Sequence, residues 1–132
     1  MGAKRDYKAA NELFLEDVAR RVGIEPVGGG VLREVIAEGN GVRPGVTDVV
    51  AVFYKGSLID GQIFDDNTNQ DCPDVFRLGE LIAGWQIALT RMRVGDKWRI
   101  YVPARHCYGA KVVGSIPKHS TLIFEIELVN VY

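Results

Sequence analysis

Little in this sequence supports disulfide, metal or nucleophilic chemistry. It has only two cysteines, Cys72 and Cys107, and two histidines, His106 and His119. Two thiols make no disulfide scaffold, and a reducing compartment keeps both free. The four side chains lack the close paired spacing from which zinc sites are built, so no metal is expected. Neither cysteine sits in a signature of an activated thiol. An excess of charge of one sign is also missing. Sixteen Lys and Arg stand against 17 Asp and Glu, a net charge of -1. That balance leaves no electrostatic footprint for nucleic acid or an anionic membrane surface. The longest apolar run, Val49 to Tyr54, is of strand length and far short of a membrane span. The opening Met1-Gly2-Ala3-Lys4-Arg5-Asp6 has no apolar signal core, so export is not expected and the cytoplasm is the expected location. Met1-Gly2 begins like an acylation signal, but Asp6 stands where Ser or Thr is required.

Glycine-rich ligand loops fail as well. Gly39-Asn40-Gly41 opens like a dinucleotide fingerprint, but Pro44 holds the place of the third glycine. Gly56 and Gly61 have the spacing of a phosphate loop, yet Gln62-Ile63 replaces its Lys and hydroxyl residue. Both read as turns, and no cofactor is called for. The adjacent acids Asp65-Asp66 read as turn residues of a polar loop, or as a cap.

What is present is a pattern of short strands behind one helix. Tyr7, Ala10, Phe14 and Val18, with Leu13, form an apolar stripe that predicts an amphipathic helix over Asp6 to Val22. Gly23 suits its C-terminal cap, and Pro26 prevents continuation. Such a stripe must pack on the rest of the chain or on a second copy. Gly28-Gly29-Gly30 reads as a flexible joint, dividing a front segment (1–30) from the main domain (31–132). Strands are expected over Val31–Glu38, Thr47–Lys55 (ended by Gly56), Val75–Leu78, Lys97–Val102 and Thr121–Val131. Asp65 to Pro73 and His106 to Ser120 read as loops. Leu81 to Met92 reads as a short helix, with Ile82, Trp85 and Leu89 on one face. No crossover helices alternate with the strands, so an antiparallel α+β fold is expected. Aromatic residues lie near glycines or turns at Tyr54, Phe64, Trp85, Tyr108 and Phe124. That distribution suits a core or an apolar pocket, and composition leaves both open.

Several segments together resemble the FKBP family of peptidyl-prolyl cis–trans isomerases. They are Val52-Phe53-Tyr54-Lys55-Gly56 with Asp60-Gly61-Gln62-Ile63-Phe64-Asp65, and Phe76-Arg77-Leu78-Gly79 with Leu81-Ile82-Ala83-Gly84-Trp85. Met92-Arg93-Val94-Gly95-Asp96-Lys97, Tyr108-Gly109-Ala110, Ser115-Ile116-Pro117 and Thr121 to Leu128 follow in the family's order. The resemblance covers Val31 to Val131. The stretch from Phe14-Leu15 to Val31-Leu32 is similar to the linker helix that precedes the domain in some bacterial members.

This resemblance implies a twisted antiparallel half-barrel sheet wrapped round one short helix, plus the N-terminal helix. It implies acceleration of Xaa–Pro bond rotation in peptides and folding proteins. Tyr54, Asp65, Ile82 and Tyr108 take the catalytic positions. Phe64, Phe76, Leu81, Trp85, Ile116 and Phe124 take substrate-binding positions, with Trp85 as the floor. Partners are then proline-containing peptides, unfolded proteins and macrolides of the tacrolimus and rapamycin type. A monomer, or a weak dimer through the N-terminal helix, is expected. The alternative is a binding module or chaperone of the same fold with little turnover. Asp74, His106-Cys107, Lys111-Val112-Val113 and Lys118-His119 depart from the family pattern. All belong to the pocket rim, where they bear on substrate preference and macrolide affinity. Asp74 stands where an apolar wall is common, and mildly favours the alternative.

Overall fold

The structure, a computed structural model, describes residues 3–132, so Met1 and Gly2 of the acylation-like opening lie outside the described residues. The elements in chain order are α1 (Ala3–Ala19), β1 (Ile24–Gly28), β2 (Val31–Ala37), β3 (Val49–Ser57), β4 (Ile63–Asp66) and β5 (Asp74–Arg77). They continue with α2 (Ala83–Leu89), β6 (Lys97–Val102) and β7 (Leu122–Val131). The strands form one antiparallel sheet in the order β1-β2-β6-β7-β3-β4. β5 shares the outer edge of β3 with β4, pairing at Val49–Val52 while β4 pairs at Lys55–Ser57. The sheet is open rather than closed on itself.

Period-two alternation decides what each face carries. Along β7, Leu122, Phe124, Ile126 and Leu128 are buried while Ile123 and Glu125 are only partly covered. Trp98, Ile100 and Val102 of β6 and Val50, Val52 and Tyr54 of β3 join them. Trp85, Ala88 and Leu89 of α2 complete this cluster. α2 lies close on the sheet because Gly84 has no side chain. A Cβ there would stand 2.3 Å from Val102 Cγ1.

The opposite face is covered by α1. Tyr101, which alternation turns away from the main core, is buried there, with its ring 6.1 Å from that of Phe14. Val18 is fully buried. The helical stripe therefore docks on the chain's own sheet, leaving Leu13 exposed.

Several boundaries differ from the sequence expectation. α1 ends at Ala19, and turns close the Arg20–Ile24 segment with Gly23 at φ +87°. Gly28-Gly29-Gly30 is not a loose joint. All three glycines have positive φ (140°, 60° and 86°) and form the turn of the β1–β2 hairpin. β1 was unexpected because Ile24-Glu25-Pro26-Val27 offers little alternation and holds a proline, which only an edge strand accepts. Gly56 does not end β3, which continues to Ser57. Ile63–Asp66 is a short strand, although the polar run from Asp65 reads as loop. α2 is shorter than Leu81–Met92, being preceded by a single 3₁₀ turn over Leu78–Glu80.

Candidate functional site

The inward alternation of β3 that buries Val50 and Val52 also turns Tyr54 inward. Its backbone is fixed by Asn67. Tyr54 N–H donates to Asn67 Oδ1 at 2.6 Å, and Asn67 N–H donates to Tyr54 O at 3.0 Å. Gly56, two residues on, pairs with Asp65 on one side and Phe124 on the other. A Cβ at Gly56 would stand 2.6 Å from Phe64 Cζ and 2.9 Å from Phe124 Cε1. The glycine is thus what lets these rings meet edge to face, with centroids 5.7 Å apart.

Trp85 gathers the rest. Its ring meets Tyr54 at 5.0 Å, Phe124 at 5.2 Å and Phe76 at 6.2 Å, each edge to face. This is the arrangement that aromatic quadrupoles favour. Trp85 Nε1 is buried and has no hydrogen-bond partner among the described residues.

Polar groups stand at the rim. The Tyr54 hydroxyl donates to Asp65 Oδ2 at 2.5 Å. Burial, then the Asp65 hydrogen bond and charge, hold the Tyr54 hydroxyl well above its usual pKa. Burial likewise raises Tyr108, with smaller contributions from Cys107 and Asp65. Both phenols are therefore neutral donors at physiological pH. The Tyr108 hydroxyl has no protein acceptor among the described residues. Ile82 is the N-cap of α2; its carbonyl accepts from Trp85 and Gln86, while its N–H has no acceptor among the described residues. The Gln86 side chain donates to Leu81 O at 2.8 Å, fixing the preceding turn.

These groups enclose a cavity of about 320 Å³. Its wall contains Tyr54, Phe64, Asp65, Phe76, Leu81, Ile82, Trp85, Tyr108 and Phe124. Ile116 is buried in the core cluster and does not form part of that wall. Glu80 does, and sequence reasoning missed it because nothing marks the 3₁₀ turn that carries it. Asn67 was also missed, as it lies in a polar run without alternation. The pair Asp65-Asp66 splits: Asp65 enters the cavity, and Asp66 caps a turn by accepting from Thr68 N–H and Oγ1–H.

Two hollows of similar volume flank α1, but neither has this character. One, of about 390 Å³, has no Phe, Tyr or Trp in its wall. The other, of about 300 Å³, is lined by Arg21, Lys55, Arg99 and Glu125 around Phe14 and Tyr101.

Cys107, next to Tyr108, is raised by burial to about 11 and donates to Pro103 O at 3.2 Å. A protonated, bonded thiol is a poor nucleophile. Among the described residues no three His, Cys, Asp or Glu side chains stand together as a metal site. The arrangement offers an apolar aromatic slot with hydrogen-bond donors at its rim. It suits binding and reshaping a small apolar ring better than bond-breaking chemistry.

Comparison with known proteins agrees. Residues 41–129 match the family model described as FKBP-type peptidyl-prolyl cis-trans isomerase. The chain is 41% identical over 119 residues to the FKBP-type 22 kDa peptidyl-prolyl cis-trans isomerase of Escherichia coli, covering 89% of this chain and 58% of that protein. It is 38% identical over 127 residues to the outer membrane protein MIP of Legionella longbeachae, covering 96% and 54%. The chain thus spans little more than half the length of these relatives. Among solved structures, a peptidyl-prolyl cis-trans isomerase from Pseudomonas syringae pv. tomato superposes with a TM-score of 0.91 at 35% identity, covering 99% of this chain and 97% of that one. FkpA from Escherichia coli also gives 0.91 at 35% identity, covering 97% and 60%.

Proposed function

This chain belongs to the FKBP-type peptidyl-prolyl cis-trans isomerase family, and from that premise we propose that it accelerates rotation about Xaa–Pro bonds in peptides and folding proteins. The observation that carries the proposal is the aromatic cavity floored by Trp85, with unengaged donors at Ile82 and Tyr108.

Amide resonance gives the Xaa–Pro bond a rotational barrier of roughly 18–20 kcal/mol. Uncatalysed exchange takes on the order of tens to hundreds of seconds. In the twisted transition state conjugation is lost and the carbonyl becomes less dipolar. A dry aromatic slot therefore favours the twisted form over the planar one, which is differential binding of a transition state. A millionfold gain asks for roughly 8 kcal/mol. In this reading Trp85, Phe64, Phe76, Leu81, Phe124 and Tyr54 hold the proline ring, with Ile116 supporting the wall from the core. The Ile82 N–H and the Tyr108 hydroxyl donate to substrate carbonyls. Asp65, held by Tyr54, orients polar groups at the rim.

The front segment acts with the domain rather than as a detachable piece before residue 31. Support comes from the β1–β2 ladder and the bonds from α1 to the 117–121 loop. Macrolides of the tacrolimus and rapamycin type are proposed ligands of the same slot. A weak dimer through α1 rests on exposed Leu13, and sedimentation over a concentration series tests it. No helix among the described residues is long and apolar enough to cross a membrane. Cytoplasmic action belongs to the proposal, and one relative is named an outer membrane protein; cell fractionation decides between the two. Asp74, which favoured a binding module with little turnover, is accounted for by its bond to Asn67.

Exchange-NMR on Xaa-Pro peptides tests the function. Wild-type protein should speed exchange catalytically, and Tyr108→Phe and Asp65→Ala should slow it while remaining folded. Wild-type rates in both variants remove those two roles, and absence of catalysis by the wild type removes the activity.

A further inference from the structure

Resting on the reading that Tyr108 hydrogen-bonds the substrate, we propose that Asn11 of α1 is a positioning residue for Tyr108, acting through the return limb of the loop that carries it. Asn is a weak helix former, and at 2% exposure it sits on the buried face of α1. Both ends of its amide are engaged. Nδ2 donates to Tyr7 O at 2.8 Å within the helix, which turns Oδ1 outward to accept Thr121 N–H at 2.7 Å. One turn earlier, the Tyr7 hydroxyl lies 2.8 Å from Ser120 Oγ. Ser120 spends its own hydrogen on Pro117 O at 2.6 Å, so Tyr7 is the donor to Ser120.

These contacts grip the loop between β6 and β7 where it returns to the sheet. The loop has no ladder of its own beyond local turns and a single bridge, Val113 to Ile116. Its two limbs are tied by His119 N–H donating to Gly109 O at 2.7 Å, one residue past Tyr108. Cys107 Sγ, one residue before Tyr108, lies 3.7 Å from Ser120 O. His119 has a φ of +64°. A non-glycine residue persists there only where its surroundings hold it. The segment 119–121 is thus clamped on one side by α1 and on the other by the residues flanking Tyr108. Releasing the helix side lets the limb, and with it the Tyr108 hydroxyl, drift from the cavity.

The test replaces Asn11 by Leu and, more gently, Tyr7 by Phe. Exposed Leu13→Ala on the same helix is the control. Isomerisation kinetics of Asn11→Leu should show kcat/KM reduced about tenfold, in keeping with the cost of misplacing a positioned group. Tyr7→Phe should show a smaller loss of the same sign, and Leu13→Ala none. In a Tyr108→Phe background the Asn11 substitution should cost almost nothing further, an outcome that simple loss of stability does not produce. Independently of turnover, the ring signals of labelled Tyr108 should shift in Asn11→Leu, and the His119 amide should exchange faster. Unchanged ring signals and amide exchange in a folded Asn11→Leu or Tyr7→Phe protein overturn the proposal. So does an undiminished Asn11 effect in the Tyr108→Phe background. An inactive wild type sinks the isomerase reading, while the ring signals still decide whether Asn11 sets the position of Tyr108.

Discussion

Asn67 binds the backbone of Tyr54 at both its N–H and its C=O, through its own side-chain oxygen and its own N–H. Its remaining amide hydrogens go to Val52 O at 3.1 Å and to Asp74 Oδ2 at 2.9 Å. One buried side chain thus joins β3, the segment after β4 and the start of β5 beneath the aromatic cluster. Asp74, unusual as a pocket wall, serves here as the acceptor that completes this bracket.

Replacing Asn67 by Ala orphans the buried Tyr54 N–H and takes one donor from the Val52 carbonyl, which stays in the β3–β5 ladder. Each buried group left unpaired costs about 1–3 kcal/mol, so a loss of about 3 kcal/mol is expected in urea unfolding. Asp74→Ala removes one partner at the half-exposed end of the bracket, and about 1 kcal/mol is expected. Equal losses in the two variants argue against the bracket as the organiser of the β3 edge.

Gly84 and Val102 form a second dependence. Gly84→Ala forces a methyl against Val102 and should destabilise by about 1–3 kcal/mol, lifting α2 and displacing Trp85. Val102→Ala alone opens a void and also destabilises. The double variant lets the new methyl occupy part of that void, so its loss should be smaller than the two single losses together. Additive losses show that α2 does not rest on Val102.

The elements legible in the sequence were those whose side chains obey one period over several residues. β6 and β7 show that regularity, and the stripe of Phe14 and Val18 foretold a helix that covers its own sheet. The cavity residues were found through the FKBP resemblance, since Tyr54 or Trp85 alone reads equally well as core. What escaped was set by tertiary context. Ile24–Gly28 becomes a strand only because β2 offers an edge, and Gly56 stays in β3 because two rings need its space. Asn67 and Asn11 carry no local signal, because the partners that give them their roles, Tyr54 and Thr121, are distant along the chain.

The two thiols should differ in reactivity. Cys72 is exposed, whereas Cys107 is partly covered and raised by burial to about 11. At pH 8 only about one Cys107 in a thousand is thiolate, and the thiolate is the reacting species. With a disulfide reagent at pH 8 the native protein should release the equivalent of one thiol quickly and the second only on unfolding. The raised value also sets a sign. The folded state keeps this proton longer than the unfolded chain, so the contribution is full below 9.0 and is lost as pH rises toward about 11. Rapid labelling of both thiols in the native state contradicts the burial of Cys107.

Tyr54→Phe separates the hydroxyl's bond from its proton. At neutral pH the variant loses the bond to Asp65, worth about 1 kcal/mol, because the half-exposed carboxylate can take water instead. Burial and Asp65 both hold the Tyr54 proton in the folded state, whereas in the unfolded chain it leaves near 10.0. Above that pH the unfolded wild type binds fewer protons than the folded one, so wild-type stability falls with rising pH. The Phe variant has no such loss at this position, and Cys107 contributes equally to both proteins. The stability gap between them should therefore be constant from pH 7 to 9 and then close as pH rises past 10.0. Paired urea titrations across that range measure it, and a gap that stays constant means that the fold does not hold the Tyr54 proton.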